Sequence, residues 1–322
     1  MASREIKSVF GGGPIGEGKD YPDVPIIEEL YRLLEEGGCH TIDTGRLYSN
    51  SEEWIGKTHG GDRFVIDSKT PGGFVPGGST SEGILKHAKE TVERLGVSSV
   101  DVYYIHCPDP SLDLLDMLKG INDAYEAGYF KRFGLSNFKA QDVEHIYALC
   151  QERSYPLPTV YQGNYSAVAR RQETELLPTL RKLNIAFYAY SPLAGGLLTK
   201  TKEQVVQGSK DAGRFGKGHW LGSLYADLYS KPSYHKALDL WGEAAQAAGC
   251  TKAELAYRWV AFDSALDSEY GDAVVFGASK LSQVKETLAW LKKGSVGEKA
   301  KAEIDEIWKT IEGDAPLDNY NQ

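Results

Sequence analysis

The sequence predicts an α/β fold, a closed (β/α)8 TIM barrel read as a single domain over residues 1–322, with a long loop after strand 7 and a C-terminal helix. Three observations carry that expectation. Eight short runs rich in β-branched and aromatic residues recur along the chain, and nearly all are followed by a segment of helical periodicity. Such alternation implies parallel βαβ units, and eight of them favour closure into a barrel over an open doubly wound sheet. No linker or composition break divides the 322 residues, a length that α/β barrels use as one domain.

Taken in order, residues 8–10 and 41–42 are the first strand candidates. Residues 24–36 between them form an amphipathic helix closed by Gly37-Gly38. Residues 64–69 are strand-like and lead into the Gly/Pro-rich loop 71–78, after which a helix runs from the Ser79-Thr-Ser81 cap region to about residue 95. The run 100–105 is too continuous for a half-exposed strand and reads as buried on both faces. A helix over 112–127 follows, ended by Gly128. Strands at 133–136, 159–164 and 185–190 then alternate with helices at 140–150 and 172–183. The irregular stretch 197–233 is too long for an idle connection in a compact domain and reads as functional. Helices at 234–248 and 251–262, a last strand at 273–276, and helices at 281–292 and 299–312 complete the chain.

The formal net charge is −9, and no dense Lys/Arg run occurs, which argues against nucleic acid or an anionic membrane as partner. Arg4, Glu5 and Lys7 stand where a secretory signal would need an apolar core, and no run approaches a membrane span. Cys39, Cys107, Cys150 and Cys250 are scattered without a CxxC pair, so four free thiols in a reducing, cytoplasmic setting are expected. The Asn164-Tyr-Ser166 sequon is therefore expected to be unused. The partner is expected to be a small molecule, and the protein a monomer or homodimer.

Gly11-Gly-Gly-Pro-Ile-Gly16 satisfies G-x-G-x-x-G, but Pro14 and the following Gly-rich run prevent the immediate helix that a dinucleotide fingerprint requires. It reads as a tight turn. The chemistry lies elsewhere, around Thr41-Ile-Asp-Thr-Gly-Arg-Leu-Tyr-Ser49. Asp43, Lys69 and His106 each close a strand-like run, and Tyr48 follows on the loop after the first of them. Singly, each has an ordinary reading as a turn cap, a solvated lysine, a hydrogen-bonded histidine or a packed tyrosine. In a barrel, however, the C-terminal strand ends share one mouth. A buried Asp43 would hold Lys69 charged, and the ammonium would favour ionisation of the Tyr48 phenol, whose ordinary pKa is about 10. His106 could orient the same substrate oxygen. The group suits a carbonyl oxygen that gains negative charge, as in hydride transfer.

Asp43-Thr-x-x-x-Tyr48, the strand-ending Lys69, Tyr103-Tyr-Ile-His-Cys-Pro-Asp109, Gly134-Leu-Ser-Asn137, Tyr161-Gln-Gly-Asn164 and Tyr190-Ser-Pro-Leu-Ala-Gly-Gly196 occur in the order seen in aldo-keto reductases. From about residue 8 to 311 the chain resembles that superfamily, and most of all its aflatoxin-aldehyde and succinic-semialdehyde reductase branch, where a fungal member would fit. One such motif is weak; six in order are specific. The resemblance implies a barrel that binds NADPH/NADP+ in extended form, with Asp43, Tyr48, Lys69 and His106 as the catalytic tetrad and Tyr48 as general acid. It implies that Ser136, Asn137 and Gln162 hold the nicotinamide carboxamide and that Tyr188 stacks on the ring. Ser191, Leu193, Gly195 and Leu197 then match a loop over the pyrophosphate, and Arg214 a clasp in the long loop. Gly277, Ser279, Lys280, Gln283 and Glu286 match the segment for the 2′-phosphate and adenine. That segment opens a helix, so backbone N–H groups and Lys280 can meet a phosphate; an ordinary cap at Ser279 predicts the same residues.

Departures occur at Gln283, where many members have arginine, at Thr287, where the family often has asparagine, and at Gly45 and Arg46 beside Tyr48. Arg46 at the mouth would suit an acidic substrate, or else be solvated surface. Phe74, Trp220, Tyr225 and Tyr229 would serve equally as a substrate wall or as packing. Two other functions stay open at this level: a non-catalytic cofactor-binding subunit of the same fold, and a Schiff-base lyase using Lys69. Borohydride trapping would reveal the second.

Overall fold

The computed structural model describes residues 5–207, 215 and 222–321. Its strands are β1 (Lys7–Gly11), β2 (Thr41–Asp43), β3 (Val65–Lys69), β4 (Val100–Ile105), β5 (Phe130–Ser136), β6 (Pro158–Asn164), β7 (Ala186–Tyr190) and β8 (Ala273–Phe276). All neighbours pair in parallel, and β8 returns to β1, so the sheet closes as a barrel. The helices are α1 (Val24–Glu36), α2 (Ser51–Lys57), α3 (Ser81–Leu95), α4 (Leu114–Glu126), α5 (Ala140–Arg153), α6 (Gln172–Glu175) and α7 (Leu177–Lys182). After β7 come α8 (Lys202–Gln207), α9 (Gly222–Tyr229), α10 (Pro232–Ala247) and α11 (Lys252–Arg258), and after β8 come α12 (Leu281–Trp290) and α13 (Glu298–Ile311).

The eight expected strands are all present, and the boundaries have local causes. Asp23 caps α1 by accepting the Ile26 N–H at 3.1 Å, with Pro25 in the first turn. Thr80 caps α3, which stops at Gly96 with φ of 67°. The expected helix over 172–183 is broken at Leu176, because Pro178 lacks the N–H and its ring crowds the preceding turn. The segment 251–262 is helical only to Arg258 and continues as a wider π turn over Trp259–Asp263. α2 was not expected: seven residues offer too few periodic positions to reveal a helix.

Side-chain alternation gives the barrel two cores. Outward residues such as Phe10, Ile42 and Ile105 join the helices in one large apolar cluster. Inward residues Val9, Val102, Tyr104, Val160, Tyr188 and Val275 fill the interior. The Gly-rich turn behaves as a turn: Gly11 ends β1, and α1 begins only at Val24. Cys39, Cys107, Cys150 and Cys250 are free thiols. Asn164 is buried, with its amide on the Tyr229 hydroxyl at 3.1 Å, so the sequon is inaccessible in the fold. Among the described residues no helix is long and apolar enough to cross a membrane.

Candidate active site

The parallel strands bring their C-terminal ends to one mouth, and the four central residues meet there. Asp43 ends β2, Lys69 ends β3, and His106 follows β4 directly. Lys69 is fully buried; its ammonium donates to Asp43 Oδ2 at 2.5 Å and to the Thr44 carbonyl at 2.7 Å. The second Asp43 oxygen accepts from Gln162 Nε2 at 2.9 Å. The Lys69 ammonium lies 5.0 Å from the centroid of the Tyr48 ring, and that ring meets His106 edge-on at 6.0 Å. The loop carrying Tyr48 is pinned by Arg46 N–H to Lys69 O at 3.1 Å and by Lys19 Nζ to Tyr48 O at 2.5 Å.

The electrostatics follow from burial and pairing. Burial works against the Lys69 charge, but Asp43, Tyr48 and Asp67 outweigh it, and the ammonium is held above its ordinary pKa. Burial, with Lys69 assisting, lowers His106 to about 3, so the imidazole is neutral throughout the neutral range. Its Nδ1 has no partner among the described residues.

Ser136, Asn137 and Gln162 also lie together at the strand ends, Ser136 in register with Gln162. Asn137, at φ of 63°, donates to the His106 carbonyl at 2.9 Å and to Ser136 Oγ at 3.1 Å. Its own Oδ1 accepts from the Tyr190 hydroxyl at 2.9 Å. The loop after β7 turns on positive φ at Ser191, Ala194, Gly195 and Gly196, with Leu193 half-buried between them. Leu197 is wholly in the apolar core, so only its backbone is available to a ligand. Gly277, Ser279, Lys280, Gln283 and Glu286 form one exposed patch at the start of α12. There Gln283 Oε1 accepts from the Ser279 N–H at 3.0 Å.

Three expectations need correction. Tyr188 does not face the mouth. It is 2% exposed in the interior cluster, and its hydroxyl meets Lys7 Nζ at 3.3 Å and Arg132 Nη2 at 3.4 Å, toward the opposite end. Tyr190, two residues on, shares its face and stands about 7 Å nearer the mouth by strand rise. Arg46 does not face a substrate either. Its side chain is 9% exposed and pairs with Glu52 at 3.0 Å and Glu90 at 2.5 Å, while Glu52 also accepts from Ser68 and Thr91. Tyr225 is a core residue stacked with Tyr229 and packed on Gly195, where a Cβ would come within 2.0 Å of its ring. Arg214 and Trp220 lie outside the described residues. Phe74 remains at the mouth, 48% exposed and edge-on to His106 at 5.2 Å.

Arg46→Ala is expected to destabilise the fold by about 3 kcal/mol, because it strands the buried Glu52 carboxylate. Urea unfolding measures this. Discrimination between acidic and neutral carbonyls should stay as in the parent, whereas a selective loss of acidic substrates would return Arg46 to the substrate.

Sequence reasoning also missed the C-terminal tail. Asn321 donates to the Asn137 carbonyl at 2.8 Å, and Tyr320 meets Phe74 edge-on at 5.9 Å. These residues have no periodicity to signal a role. Lys19 likewise sits in a Gly-rich turn without a pattern.

The aldo/keto reductase family model matches residues 9–309. The chain belongs to the aldo/keto reductase family. It is 37% identical to the oxidoreductase SirO of Leptosphaeria maculans, over 96% of this chain and 90% of that protein. It is 35% identical to human aldo-keto reductase family 7 member A3 and 34% identical to human aflatoxin B1 aldehyde reductase member 4, over 92% of each chain in both cases. As a member of this family the protein is an oxidoreductase, and carbonyl reduction with a nicotinamide cofactor is the family's general chemistry.

Proposed function

We propose that the protein is an NADPH-dependent reductase of aldehydes or ketones, with Tyr48 as the proton donor. The observation that carries this reading is the buried Lys69 ammonium, paired with Asp43 and 5.0 Å from the Tyr48 ring. A cation there favours the phenolate, so the phenol gives up its proton more readily. Neutral His106 orients the substrate oxygen beside it. Proton transfer from Tyr48 leaves a phenolate that Lys69 stabilises, and solvent then restores the proton.

The residues present fit a nicotinamide dinucleotide. The amide of Gln162 beside Asp43, and the Asn137 amide and Ser136 hydroxyl beside His106, suit a carboxamide. Tyr190, in place of Tyr188, supplies an aromatic face at the mouth. The first N–H groups of α12 and the exposed Lys280 suit a phosphate, and Gly277 leaves open space where a side chain would stand. When bound, the reduced nicotinamide supplies the hydride to the carbonyl carbon. Phe74 and Tyr320 offer that carbonyl compound an aromatic wall, and the names of the aflatoxin B1 aldehyde reductases support aldehydes as the first class to try.

The test is cofactor oxidation against a panel of aldehydes, ketones and semialdehydes, with NADH as comparison. Turnover with NADPH and an aldehyde is the expected result; inactivity across the panel with both cofactors would overturn the reading. Lys280→Ala should raise the KM for NADPH about tenfold, a loss of 1.4 kcal/mol, and leave that for NADH unchanged. Equal effects on both would remove Lys280 from the 2′-phosphate.

A further inference from the structure

One buried acid in the barrel has no part in the tetrad. Asp67 is 0% exposed and stands two residues before Lys69 on the same face of β3. Its strand register sets it directly beside Asp43. One of its oxygens accepts the Val102 N–H at 3.1 Å; the other has no partner among the described residues, and neither has the nearby Tyr104 hydroxyl. Two carboxyls thus lie side by side, and of the two the Lys69 ammonium bonds that of Asp43.

We propose that Asp67 is a positioning residue for the carbonyl reduction, a buried acid that sets, through Lys69, how readily Tyr48 releases its proton. The proposal rests on the reductase reading above. A buried carboxylate with one unpartnered oxygen is costly to ionise, so the neutral acid is favoured. The charged and titratable groups around it are Lys7 on β1, Asp43 on β2, Lys69 on β3, Asp101 and Tyr104 on β4, Arg132 on β5 and Tyr188 on β7. Burial raises the Asp67 carboxyl to about 7; Lys7 opposes that shift, and Asp43 and Asp101 add to it. Asp67 therefore changes charge in the neutral range. When neutral, it leaves the field of Lys69 on Tyr48 opposed by Asp43 alone. When ionised, it adds a second negative charge beside the ammonium, and the phenol becomes a weaker acid.

Asp67→Asn fixes the neutral state. In the holoenzyme, the alkaline limb of kcat for aldehyde reduction should move about one pH unit toward acid, and so should the limb for alcohol oxidation. A packing role alone would lower kcat without moving either limb. Superimposable limbs in parent and variant would overturn the proposal; should Asn not be tolerated, Asp67→Ser takes its place. A second readout needs neither turnover nor a variant. Carbon-13 NMR of aspartate-labelled parent protein should show one carboxyl titrating near neutral pH. If every aspartate titrates in the ordinary acidic range, the proposal fails even where the enzyme is active. If the NMR signal is present but no carbonyl is reduced, the reductase reading fails instead.

Discussion

Tyr48→Phe is expected to lower kcat for carbonyl reduction by about 10²–10⁴-fold, the usual worth of a positioned general acid. The change removes one hydroxyl and keeps the ring, which is what meets His106 edge-on and Lys69 face-on. The fold and the dinucleotide Kd should therefore remain near those of the parent. Single-turnover hydride transfer and a fluorescence titration of the cofactor separate the two effects. His106 cannot replace the phenol, because its imidazole is already neutral down to about pH 3 and has no imidazolium proton to give. Turnover close to that of the parent would move the proton source to Lys69 or to water and end the role of Tyr48 as acid.

The barrel was readable in the sequence because its signals are local and repeated. Each strand carries a short β-branched or aromatic run, most continuous in β4 and β8, and nearly all are followed by a segment of helical periodicity. That Asp43, Lys69 and His106 would come together was readable for a related reason: they stand at strand ends, and a parallel barrel collects those ends. Depth along a strand is harder to see. Tyr188 and Tyr190 share a face by the period of two, and the pairing of Tyr188 with Lys7 and Arg132 shows that one pleat of depth takes it away from the mouth. Charge partners far apart in sequence are harder still. Nothing near Arg46 announces that Glu52 and Glu90 would claim it, so a lone arginine reads as a substrate handle or as surface. Asp67 is of the same kind, since its neighbours come from β1, β2 and β4.

Glu52 and Asp43 show how the site separates stability from chemistry. Glu52 holds Arg46, Ser68 and Thr91 and so fixes the strand that carries Lys69 and the loop that carries Tyr48. Asp43 serves both ends at once: it anchors Lys69 and also engages Gln162. The raised pKa of Lys69 also bears on the lyase alternative, because a protonated amine is a poor nucleophile.

Lys69→Met is expected to cost both stability and activity, by different routes. Methionine replaces the aliphatic stem, but among the described residues Asp43 then keeps only Gln162 as side-chain partner in a buried site. Breaking a buried pair from one side costs about 3–5 kcal/mol, mostly through the stranded charge. Since the folded state holds Lys69 above its ordinary 10.5, the stabilisation is complete below that value and fades only as pH rises through the folded pKa. The gap between parent and variant should therefore persist across neutral pH in urea titrations, modulated there only by the titration of neighbouring Asp67. Adding Asp43→Asn removes the stranded carboxylate, so the double variant should regain most of the lost stability. It should regain none of the turnover, because the cation beside Tyr48 is still missing. Recovery of activity together with stability would mean that Lys69 only holds the fold, and the acidity of Tyr48 would then need another source.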